Sequence, residues 1–78
     1  MAAKDVAEWM IQQVHVGGGT LSQDDAVPRI MRIFGPNFVY RTNAGNWVIA
    51  KPVLNQFRKL HGGTIEYRGL MRIWEQCS

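Results

Sequence analysis

Apolar residues recur at helical spacing four times in this 78-residue chain, three of them ahead of residue 62. Val6, Met10 and Val14 stand four apart, with Trp9 at the edge of the stripe and Asp5 placed to open the helix. Gly17, Gly18 and Gly19 close it. Ser22 and Asp25 form an S-x-x-D start ahead of Ala26, Ile30, Ile33 and Phe34, which predicts a second helix. Pro28 disturbs the ladder of that helix unless its first turn begins near Asp24 or Asp25. Gly35-Pro36 is a firm stop. Pro52 suits the first turn of a third helix, which puts Val53, Phe57 and Leu60 on one stripe and ends at Gly62-Gly63.

Between the second and third helices the period changes. Phe38-Val39-Tyr40 and Trp47-Val48-Ile49 are β-prone runs flanking RTNAGN, a turn rich in Asn and Gly, so a hairpin is expected. TIEY alternates like a third short strand. Leu70, Ile73, Trp74 and Cys77 then repeat at helical spacing and predict a short last helix. The expected fold is α+β, one domain over residues 1–78, in the order α-α-β-β-α-β-α. Its three strands form an antiparallel sheet with the helices packed on one face.

Several of these stretches together resemble a family of small standalone bacterial domains of unknown function. The pattern is VAEWM, QDDAV, FGPNFVY, NAGNWVI, VLNQFRKL and a closing Trp, spanning about Val6 to Trp74. The resemblance implies a compact standalone bacterial domain and brings no activity, cofactor or catalytic residue with it. The arrangement is also winged-helix-like, since helices precede a hairpin. The usual order has the recognition helix ahead of the wing, whereas the basic helix expected here follows the hairpin at 38–49.

Charge adds the main functional signal. Between Ala26 and Ile65 lie Arg29, Arg32, Arg41, Lys51, Arg58 and Lys59 with no acid, which leaves the flanks at −3 and the chain at +3. At about 100° per residue, Lys51, Asn55, Arg58 and Lys59 fall on the side of the third helix opposite Val53, Phe57 and Leu60. Cations there suit phosphates, Asn55 suits a base edge, and Arg41 on the hairpin adds a backbone contact. The bland alternative is a solvated face whose cations compensate the helix dipole. In the second helix Asp25 and Arg29 are spaced to pair.

Trp9, Trp47, Trp74, Phe38, Tyr40, Phe57 and Tyr67 are many large rings for so small a chain. Most are expected to fill the core. Tyr40 and Trp47 are the candidates for stacking on bases or for an interface between two copies of the chain.

Other features carry less. GGGT follows a helix and lacks the Lys-Ser/Thr pair of a phosphate loop, so it reads as punctuation. Asp24 and Asp25 are neighbours whose side chains diverge, which suits a helix start. His15 and His61 sit near helix ends without a second ligand at metal spacing. Cys77 is the one cysteine and excludes an internal disulfide. No nucleophile–base set, cofactor motif or metal set is visible, and no apolar run reaches membrane-spanning length. These observations predict a soluble cytoplasmic, non-enzymatic binding module. Its expected partner is DNA or RNA, with a second copy of the chain as the alternative.

Overall fold

The computed structural model describes residues 2–77. Helix α1 spans Ala3–Val16 and buries Val6, Ala7, Met10 and Val14 completely, as the four-residue repeat requires. Asp5 lies in its first turn and accepts a hydrogen bond from the Ala2 N–H at 3.0 Å, which ties down the helix start. The chain leaves α1 at Gly17, where an added Cβ would lie 2.5 Å from the Thr20 carbonyl oxygen. Only glycine fits that close approach.

Next comes strand β1, Thr20–Ser22, which the sequence pattern does not announce. Helix α2, Gln23–Phe34, follows without a break and buries Gln23, Ala26, Val27 and Ile30. Pro28 lies inside it, so the carbonyl of Asp24 loses its ladder partner one turn from the start. Ile33, expected in the apolar stripe, is half exposed, because the buried arc centres on Ala26 and Ile30. Arg29 turns to the Gln13 side chain at 3.4 Å, and no ion pair joins it to Asp25 among the described residues.

A single 3-10 turn, Pro36–Phe38, leads into the hairpin of β2 (Val39–Arg41) and β3 (Trp47–Ile49). The register pairs Val39 with Ile49, Tyr40 with Val48 and Arg41 with Trp47. Thr42 and Asn46 close the loop, helped by Gly45 at φ 85°. Helix α3, Lys51–His61, begins with Pro52 in its first turn and ends on Gly62 in the left-handed conformation. It buries Val53 and Phe57 against α1, while Leu60 remains partly exposed.

The C-terminal segment differs most from expectation. Ile65–Arg68 (β4) and Ile73–Gln76 (β5) form an antiparallel hairpin, and the expected helix over Leu70 to Cys77 is absent. Strand β5 lies between β1 and β4, so its backbone groups are satisfied on both sides. A helix of the same few residues would leave most of its end groups unpaired. The three-stranded sheet is therefore β1-β5-β4, and the hairpin at 39–49 is a separate two-stranded sheet. The fold is α+β, with three helices and a three-stranded antiparallel sheet. Leu21, Ile65 and Trp74 are buried on the sheet face toward the helices, where Trp74 meets Phe57 edge-on at 5.8 Å. Glu66, Arg68 and Glu75 form ion pairs on the opposite face.

Candidate nucleic-acid interface

Val53 and Phe57 fix the roll of α3 by entering the core, and this decides what its other residues can meet. Lys51, Asn55, Arg58 and Lys59 are all exposed, within an arc of about 100° centred opposite the core. The helix holds no acidic residue. Among the described residues, Lys51, Arg58, Lys59 and Arg41 form no ion pair. Every salt bridge formed there uses Arg68 or Arg72, the two arginines of the β4–β5 hairpin.

The helix dipole accounts for part of this charge. Arg58, Lys59 and His61 occupy the last turn, where a cation is favoured. Lys51 is the first residue of α3, where the dipole disfavours a cation and no acid offsets it. Compensation therefore does not explain Lys51.

The sequence-predicted residues divide between two places. Tyr40 shares its hairpin face with Val48, while Arg41 and Trp47 pair on the other face. Arg41 and Trp47 are thus separated from Tyr40 by the strand pleat. Trp47 is 43% exposed and belongs to a hollow with Asp24, Met31 and Arg72. Arg29 lines yet another hollow with Gln13 and Asp25, so the central cations do not form one continuous patch.

Tyr40 lines a groove of about 520 Å³ that the sequence pattern does not reveal. Tyr40 and Val48 form one wall, Leu54 and Phe57 of α3 the second, and Tyr67 and Trp74 the third. Lys51 and Arg58 stand on the rim, so the groove opens beside the acid-free side of α3. Tyr40 and Tyr67 are 44% and 45% exposed, whereas Trp74 is buried. At the floor lies Gln23, the one buried polar side chain among the described residues. Its amide nitrogen donates to the Tyr67 hydroxyl at 3.2 Å, and its oxygen accepts from the Ile49 N–H at 3.5 Å. The signal for Gln23 is its place on the stripe it shares with Ala26, Val27 and Ile30, where an apolar residue is the rule.

His61 also lines the groove. Burial holds its pKa below the ordinary 6.5, and the nearby Arg58 charge pushes the same way, against a backbone hydrogen bond that raises it. Its Nδ1 accepts from the Gly63 N–H at 2.9 Å, which requires that nitrogen to be unprotonated.

The arrangement is α+β: helix α3 precedes the β4–β5 hairpin and follows the β2–β3 hairpin. As the sequence predicts, α3 follows the hairpin at 39–49. The chain belongs to the family of unknown function DUF6953, whose model matches residues 2–76. No curated protein and no solved structure matches the chain. Among the described residues, no helix is long and apolar enough to cross a membrane.

Proposed function

We propose that the protein is a single-domain, non-enzymatic binding module whose ligand is DNA or RNA, held through the exposed side of α3. The observation that carries this reading is the acid-free face of Lys51, Asn55, Arg58 and Lys59, with no ion pair to any of its cations among the described residues. Lys51 at the unfavourable end of the dipole adds to it, since dipole compensation does not account for a cation there. In this reading Lys51, Arg58 and Lys59 contact phosphates and Asn55 reaches a base edge. Arg41 lies on the hairpin face away from Tyr40 and serves at most as a peripheral backbone contact. The test is a titration with labelled duplex and single strand at two salt concentrations. Phosphate-mediated binding weakens steeply as salt rises because counterions are released.

A second reading has its own observation. Leu70 and Met71 at the tip of the β4–β5 turn are 104% and 72% exposed, and Trp47 is also partly uncovered. These suit an apolar contact between two copies of the chain. Such a dimer persists at high salt and is visible by light scattering at micromolar concentration, whereas phosphate binding is lost under those conditions.

A further inference from the structure

We infer that the groove between α3, the β2–β3 hairpin and β4 is a pocket for one unstacked base of a single-stranded nucleic acid. The inference rests on the nucleic-acid reading of α3 and specifies the form of the ligand. The groove has the volume of ordinary ligand sites, which are mostly apolar with a few convergent polar groups. Two half-exposed tyrosine rings, Tyr40 and Tyr67, enter it from separate strands and offer flat surfaces for stacking. A base within a duplex has both faces covered and cannot use them.

The polar groups at the floor match a base edge. Tyr67 accepts a hydrogen bond from Gln23, which leaves the phenol proton to donate. The Gln23 amide has a second N–H beyond the one given to Tyr67. Both donors suit the carbonyl oxygens of an oxo base such as thymine or uracil. Charge complementarity selects a nucleotide over a neutral aromatic ligand. Lys51 and Arg58 stand on the rim without ion pairs among the described residues, where phosphates flanking an inserted base would pass. Glu66, which borders the groove on β4, turns its side chain to the sheet face away from Tyr67 and Trp74 and pairs with Arg68 at 3.7 Å.

The test compares a labelled oligothymidine with an abasic phosphodiester chain of the same length at about 50 mM salt. Wild type, Tyr40→Ala, Tyr67→Phe and Lys59→Ala are titrated with both, and thermal melting establishes that each variant is folded. The expected result is tighter binding of oligothymidine than of the abasic chain. Tyr40→Ala should weaken oligothymidine by roughly five- to a hundredfold, the range for losing one stacked base, and leave the abasic chain unchanged. Tyr67→Phe keeps the ring and should lower oligothymidine binding by a smaller factor, again selectively. Lys59→Ala, a substitution outside the groove, should weaken both chains alike. Equal binding of the two chains by wild type overturns the base pocket and leaves the phosphate surface standing. So does an equal loss on both chains from a folded Tyr40→Ala. No binding of either chain by wild type overturns the base pocket, and only a failed duplex titration beside it overturns the parent reading as well.

Discussion

The side-chain amide of Gln23 donates to the Tyr67 hydroxyl at 3.2 Å, joining positions 44 residues apart. The same side chain takes the Ile49 N–H. Within the hairpin, Ala50 N–H bonds the Phe38 carbonyl and Thr42 N–H bonds that of Asn46. Ile49 therefore occupies a non-bonded position of the ladder, with its N–H directed away from β2. Gln23 satisfies a backbone donor that β2 cannot reach, and it links α2, the β2–β3 hairpin and β4.

Replacing Gln23 by Leu leaves the Ile49 N–H buried and unpaired. We expect a loss of about 1–3 kcal/mol in urea unfolding, the cost of stranding such a donor. Tyr67→Phe removes one partly buried hydrogen bond and should cost about 0.5–1.5 kcal/mol. An unchanged midpoint in Gln23→Leu contradicts the bridging role.

Arg72 provides a second brace. Its guanidinium donates to the Trp47 carbonyl at 3.1 Å and meets Asp24 at 3.2 Å, while its carbonyl accepts from the Gln23 N–H at 2.8 Å. It is the one non-glycine residue at positive φ, 55°, among the described residues. Arg72→Ala keeps the backbone strain and loses the guanidinium contacts, so a destabilisation of about 1–3 kcal/mol is expected. Asp24→Asn should cost no more than about 1 kcal/mol, because the Asp24 side chain is 70% exposed. Equal effects of the two substitutions in thermal melts contradict this account.

Much of this fold is legible in the sequence because α1, α2 and α3 bury stripes with a clear period. Val6, Met10 and Val14 specify one face, and Pro52 with Gly62 brackets the third helix. The β2–β3 hairpin is legible from its turn chemistry. Strand β1 is not, since Thr20–Ser22 runs from a glycine stretch straight into α2 and three residues show no period. Strand β5 is misread because Leu70, Ile73, Trp74 and Cys77 fit a helical stripe, although Leu70 projects at a turn and Trp74 alone of the four is buried. The exposed side of α3 follows from its wheel. The groove beside it depends on contacts between distant segments, such as Gln23 with Tyr67, which local pattern does not encode.

The pH dependence of stability has a sign fixed by His61. Its folded pKa lies below the ordinary 6.5, so between those two values the unfolded chain binds the extra proton. The contribution of His61 is complete above about pH 6.5 and is lost as pH falls toward the folded pKa. Protonation of Nδ1 also removes the acceptor for the Gly63 N–H. Melting temperature should fall on acidification below about pH 6.5, and His61→Gln should flatten that part of the curve. A wild-type profile that rises on acidification through this window contradicts the assignment.

The side chains on α3 should separate by role. Asn55→Ala should change preference among sequences, because an amide discriminates base edges. Its effect on the salt dependence should be small. Competition among labelled oligonucleotides of differing sequence measures this, and a uniform loss of affinity instead assigns Asn55 to the backbone. Stability should stay within about ±0.5 kcal/mol, since the residue is exposed.

The central claim is that the acid-free face of α3 binds phosphates, and the salt dependence of binding tests it most directly. Wild type and the double variant Arg58→Ala/Lys59→Ala are titrated with labelled duplex and single strand across a range of salt. Wild type should bind at about 50 mM salt and weaken steeply as salt rises. The double variant should bind more weakly, with a salt slope shallower by up to about two units. Absence of wild-type binding to either strand form at about 50 mM salt, where non-specific attachment should already appear, would contradict the claim and make the face a solvated one.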